Sequence, residues 1–170
     1  SFARRLDKEF ERLDYCGVNA CRNFYEVNQA GAWNKSQQTY EVTLNTFCPD
    51  ADIYYAVNDS TVNTSSSLYE TPIPLDEDAT IYSAVYRDGK PLGKVTRKSF
   101  AVNKATGCDY TCNPAAGWEH LNEGFGLTDG RRGYARDMRR WISFYQDTVQ
   151  IVVELKKPQK VKEVAFSSLW

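Results

Sequence analysis

Apolar residues near the N-terminus fall on a helical repeat. Phe2, Leu6, Phe10, Leu13 and Cys16 follow one another at spacings of four, four, three and three, one stripe of a 3.6-residue period. Arg4, Arg5, Lys8, Glu9, Glu11 and Arg12 fill the opposite face. Gly17 comes just after the last periodic residue, where a helix ends on a left-handed cap. Residues 1–27 therefore read as one amphipathic helix with its exit. Such a stripe needs a partner surface.

The period then changes from 3.6 to 2. From Thr39 to Phe47, Tyr40, Val42, Leu44 and Thr46 alternate with Glu41, Thr43 and Asn45. Ile53, Tyr55 and Val57 form a second alternating run, broken at Asn58-Asp59 and followed by a polar loop, Ser60 to Ser67. Pro72 and Pro74 flank Ile73, which suits a sheet edge. Thr80 to Tyr86 is rich in β-branched and aromatic residues and runs into Asp88-Gly89, a strong hairpin signal; its partner would run from Gly93 to Val102. Residues 36–103 read as a small β-sandwich. The turn formers around Gly107 and Pro114 make 104–117 a linker. Beyond it, Val149–Leu155 and Val161–Trp170 read as strands, the second ending inside a core.

Composition narrows the field. The chain has 170 residues, 21 basic and 22 acidic, for a net charge of -1. That balance argues against a nucleic-acid partner. No run approaches the ~20 apolar residues of a membrane span. The first residue is Ser1 and the single Met is Met138, so the chain reads as an excised fragment. Five cysteines leave at least one unpaired. Cys108 and Cys112 could close a small disulfide loop or begin a zinc site, but zinc needs two more ligands and His120 is the single histidine. Isolated thiols are the simplest reading.

Three stretches resemble pieces of known proteins. Phe2-Ala-Arg-Arg-Leu6 through Arg12-Leu13-Asp14 to Gly17-Val18-Asn19 resembles the last barrel helix of family 20 glycoside hydrolases, the β-N-acetylhexosaminidases. Ile53–Ser60, Tyr69–Leu75, Ala79–Ile81, Asp88-Gly89-Lys90 and Gly93-Lys94-Val95 resemble their small C-terminal, fibronectin-III-like β-sandwich. Leu127–Gly130, Trp141–Phe144 and Asp147–Leu155 resemble the first part of a discoidin-like galactose-binding domain (F5/8 type C), found in Bacteroides-type members. The family often has Thr-Asp-Gly-Ser at the first sandwich turn, where this chain has Val57-Asn58-Asp59-Ser60.

The resemblance implies a mainly β chain in four parts: a helix of a truncated catalytic barrel (1–27), a sandwich (36–103), a linker (104–117) and a partial jelly roll (118–170). It implies a hydrolase parent that removes terminal N-acetylhexosamine from glycans. The fragment itself would be a non-catalytic accessory region, its sandwich buttressing the barrel through the first helix. The family's acidic pair sits on an earlier barrel strand, one of the exceptions to ordinary two-carboxylate hydrolysis. Asp76-Glu77-Asp78 is read as a polar turn, so no catalytic residue is assigned and no cofactor is required. The alternatives are a carbohydrate-binding module or a structural spacer.

For sites, Asp129 matches a calcium position of discoidin-like domains, though an Asp before Gly130 also simply sets a turn. Trp118 and Tyr134 could stack on a sugar; Trp141 is assigned to the core. Arg131, Arg132, Arg136, Arg139 and Arg140 read as a solvated loop. The implied partners are a glycan, reached through the parent enzyme, and the chain's own barrel, with self-association through 161–170. The implied location is the periplasm, the cell surface or the exterior.

Overall fold

A computed structural model describes residues 2–115, 117, 126–130, 141–166 and 168. The described residues are mainly β, with one α-helix among them, and the chain divides into two compact units. The first comprises Ser1–Ala30, Val42–Pro74 and Asp78–Phe100; the second comprises Gly31–Glu41, Leu75–Glu77 and Ala101–Trp170.

In the first unit, helix α1 (Phe2–Tyr15) ends as its sequence requires. Gly17 takes φ +70°. Its N–H donates to Asp14 O at 3.0 Å and that of Val18 to Leu13 O at 2.9 Å, the two bonds of a Schellman cap. A short 3-10 turn, Asn23–Tyr25, leads into β1 (Asn28–Asn34).

The expected alternation holds in β2 (Thr39–Asn45), where Tyr40, Val42 and Leu44 are buried. β3 (Asp52–Val57) stops at Asn58, which takes φ +56°. Asn tolerates that conformation, and its side-chain oxygen accepts Thr80 N–H at 2.8 Å. β4 is Ser67–Leu68 and β5 is Ile73–Leu75. The order β1-β2-β5 leaves the proline-flanked β5 at an edge.

A second sheet is built on β6 (Ala79–Arg87), which pairs antiparallel with β3, β7 (Lys90–Pro91) and β8 (Thr96–Phe100). β4 extends it beyond β3. Asp88 and Gly89 both have positive φ, +50° and +72°, as a type I′ hairpin turn demands. The partner strand is split rather than continuous over 93–102. Gly93 runs so close to Tyr25 that a Cβ there would lie 2.8 Å from Tyr25 Cβ and 2.9 Å from its carbonyl oxygen. The ladder gives way at that crossing.

β6 is buried on both faces. Ile81, Ser83 and Val85 face the core. On the other side Ala84 and Tyr86 are covered by Val62, with Tyr54, Ala56 and Tyr82 packed around them. Tyr86 Oη donates to Val62 O at 2.9 Å. The segment read as a polar loop is also a lid on the sheet, held by its one apolar side chain, Val62.

The second unit contains β9 (Asp109–Asn113) and β10 (Gln150–Glu154), paired antiparallel from Gln150↔Asn113 to Glu154↔Asp109. β9 lies inside the stretch read as a linker; its partner is a distant strand, which local turn formers do not reveal. Val161–Phe166 forms no strand, and Val164 and Phe166 are 86% and 69% exposed. A strand exists by pairing its backbone groups, and none among the described residues pairs with this segment.

Candidate functional site

Polar side chains converge where α1 meets the sandwich. Taking ~100° per residue, Asp7, Glu11 and Asp14 project to one side of Phe10, and Phe2, Leu6 and Leu13 to the other. The helix seats by Phe10 and the carboxylate side. Phe10 is buried, Leu6 and Leu13 are half-buried and Phe2 is 69% exposed. The apolar stripe read from the sequence is therefore only partly used within the unit.

Phe10 enters an aromatic cluster, its ring centroid 5.3 Å from Tyr25 and 6.3 Å from Phe24. The Arg22 guanidinium lies 4.9 Å from the Phe10 centroid and pairs with Asp14. Flat guanidinium on an aromatic face is a favourable contact.

Asp7 is the hub. Its Oδ1 accepts Tyr25 Oη–H at 2.8 Å and its Oδ2 accepts Arg87 Nη2–H at 3.0 Å. The same Nη2 donates to Pro49 O at 2.7 Å and lies 3.1 Å from Cys48 Sγ. Arg87 reaches this point because it continues the core-facing row of Ile81, Ser83 and Val85. One carboxylate and one guanidinium thus tie the helix, the β2–β3 connection and the end of β6 together.

The environment sets the protonation of the neighbours. Burial, then the Asp7 hydrogen bond and charge, push the Tyr25 phenol well above its ordinary value. Burial raises the Cys48 thiol, with the Arg87 charge opposing. Burial works against the Arg87 charge, but the Asp7 hydrogen bond and the facing groups hold it above the usual arginine value. The phenol stays a donor, the thiol stays protonated and the guanidinium stays charged. Chemically this is a charge-balanced clamp.

A half-open cleft of about 250 Å³ adjoins it. Phe10, Glu11 and Asp14 of the helix form one wall, and Pro91 and Leu92 after the hairpin form another.

A second buried polar link crosses the sandwich. Gln29 Nε2 donates to Ser83 Oγ at 2.8 Å and to Thr96 O at 3.2 Å, while Gln29 Oε1 is buried without a partner. Lys98 Nζ donates to Gln29 O at 2.7 Å.

Of the residues singled out from sequence, Asp129 is half-buried, and its Oδ2 accepts Gly126 N–H at 3.0 Å, a turn-setting bond. Next to it Thr128 donates to Cys108 O at 2.6 Å. Trp118, Tyr134, His120 and Arg131–Arg140 lie outside the described residues. Trp141 is half-buried, and Asp76-Glu77-Asp78 is an exposed turn. Cys16, Cys21, Cys48 and Cys108 carry free thiols. Among the described residues no three metal-ligating side chains gather. Asp7, Tyr25 and Arg87 were not foreseen; a charged residue on the core-facing parity of β6 was the available signal.

Residues 28–97 match the family described as the chitobiase/beta-hexosaminidase C-terminal domain. The matched stretch starts at β1 and ends within β8, so it takes in the sandwich and Arg87 but not α1. No curated protein matches the chain.

Proposed function

We propose that the chain is a non-catalytic, C-terminal accessory region of a β-N-acetylhexosaminidase of glycoside hydrolase family 20, an enzyme that removes terminal N-acetylhexosamine from glycans. The match of residues 28–97 to a hexosaminidase C-terminal domain carries this reading. The geometry supports a mechanical role. Helix α1 is locked to the sandwich through Asp7, Arg87 and Phe10, while Phe2 and Tyr15 remain 69% and 93% exposed. Those exposed residues suit a helix that also packs on a neighbouring domain, so that the sandwich holds the barrel's last helix in place. In this reading the discoidin-like portion is a further accessory module, and the enzyme works in the periplasm or at the cell surface.

The test is hydrolysis of a chromogenic N-acetyl-β-glucosaminide by this chain and by a form extended upstream through a full barrel. Activity confined to the long form, and reduced by Arg87→Ala in that form, supports an accessory role. Inactivity of both forms overturns the hexosaminidase reading.

A further inference from the structure

We infer that two copies of this chain associate by exchanging strands: Val161–Phe166 of each copy pairs antiparallel with the open edge of β10 in the other. β10 pairs with β9 along one side, and among the described residues nothing pairs with its other side. An open edge of that kind recruits a further strand. Val161–Phe166 has no ladder partner among the described residues either, and its apolar side chains Val161, Val164 and Phe166 are exposed. Each copy thus carries both an acceptor and a donor for strand addition.

Charge and alternation fix the register. The β9–β10 ladder sets Asp109 directly opposite Glu154. Both are exposed, and neither forms an ion pair among the described residues. Like charges at facing positions of a ladder repel, so a strand that brings a cation beside Glu154 is favoured. With Lys162 opposite Glu154, an antiparallel strand sets Val164 opposite Val152 and Phe166 opposite Gln150. Val152 is otherwise left exposed. On the other face Val161 meets Leu155 and Ala165 meets Ile151. Glu163 opposite Val153 is the one mismatch.

The same register within one chain would need a hairpin turning over residues 156–160. That connection is held elsewhere at both ends. Lys156 Nζ donates to Gln38 Oε1 at 2.7 Å and lies 5.1 Å from the Trp33 ring centroid. Lys160 O accepts Lys104 Nζ–H at 2.6 Å. Pairing between copies leaves these anchors in place. Each copy gives one segment and receives one, so the association closes as a two-fold dimer. The inference does not rest on the hexosaminidase reading.

The test is sedimentation equilibrium of the 170-residue chain, with a monomer–dimer Kd on the order of 10–100 μM expected. Val164→Lys should weaken association about tenfold, and Glu163→Val, which removes the mismatch, should tighten it. Lys162→Glu and Glu154→Lys should each weaken it, and an equimolar mixture of the two variants should restore it as a heterodimer, because both charge pairs re-form between copies. All four positions are exposed, so these variants keep the fold. A monomer at every concentration overturns the inference, as does a dimer indifferent to Val164→Lys and to the charge exchange. Exchange protection of the Val161–Phe166 amides in a monomer also overturns it, since that would be the hairpin. So does loss of the dimer in a chain extended beyond Trp170, where further residues of the same chain would hold the edge. None of these outcomes bears on the enzyme assay above.

Discussion

Arg87 Nη2 and Asp7 Oδ2 lie 3.0 Å apart although 80 positions separate them in the chain. Both side chains are largely withdrawn from water, at 29% and 15% exposure. A pair in that position gains more than a surface pair but depends on every hydrogen bond around it. Here the surroundings supply Tyr25 Oη and Pro49 O.

Removal of either partner should therefore strand the other. Asp7→Ala and Arg87→Ala are each expected to lower stability by about 1–3 kcal/mol. The double variant should cost less than the sum of the singles, because no unpaired charge remains. Urea unfolding of the four chains gives the coupling; additive losses would show that the pair contributes nothing of its own. Hydrogen exchange in α1 should rise in both single variants.

Raising the pH should weaken the same region. Tyr25 and Cys48 both hold their protons more tightly in the folded chain than in the unfolded one. Below the ordinary thiol value of 9.0 both groups are protonated in both states and the pH has no leverage through them. Above it the unfolded chain loses protons first, so stability falls, and more steeply beyond the ordinary phenol value of 10.0. The slope is at most about 1.4 kcal/mol per pH unit for each group. Urea midpoints between pH 8 and 10.5 measure it. Tyr25→Phe should flatten the upper part of the curve; an unchanged curve would exclude Tyr25 as its source.

Two glycines of the same φ should respond differently to alanine. Gly89 and Gly107 both take φ +72°. A Cβ on Gly89 would meet nothing within 4 Å, whereas on Gly107 it would lie 2.1 Å from the Trp33 ring. Gly89→Ala should cost about 1–2 kcal/mol for the left-handed backbone. Gly107→Ala should add about 1–3 kcal/mol of overpacking, because Trp33 is also held by Lys156, whose Nζ lies 5.1 Å from its ring centroid. Thermal unfolding of the two variants compares them; equal losses would mean that Trp33 moves freely.

The lid on β6 should hinge on Val62. Val62→Ala is expected to cost about 1–2 kcal/mol by removing apolar burial over Tyr86 and Ala84. Val62→Asp should cost more and release the segment from Asp59 to Ser66. Hydrogen exchange confined to those residues and to the outer face of β6 reports the release; unchanged protection would show that the lid is held by its own turn, in which Asn63 N–H donates to Ser66 Oγ at 3.0 Å and Asn63 Oδ1 accepts Ser65 N–H at 2.8 Å.

Much of the sandwich was legible because local chemistry and tertiary demand agree there. The period of 2 in Thr39–Asn45, the break at Asn58 and the positive-φ pair Asp88-Gly89 are each written in a few neighbouring residues. The Schellman cap at Gly17 is equally local. The candidate site was not legible. Asp7 looks like any solvent-facing helix residue, and Arg87 looks like the charged end of a hairpin. Their roles appear only when α1 lies beside the end of β6. The missed β9 has the same cause, since Asp-Tyr-Thr-Cys-Asn carries little strand signal until Gln150–Glu154 pairs with it.

Sequence alone thus determined the kinds of element and their punctuation in α1 and in much of the sandwich, because periodicity, glycine and asparagine act over a few bonds. Tertiary structure decided which face of α1 is used, that a polar loop is a lid, and that Asp7, Tyr25 and Arg87 form one clamp. Hydrogen bonds and ion pairs between distant residues leave no periodic trace in a chain. They exist only once burial has removed the competing water and brought the partners within about 3 Å.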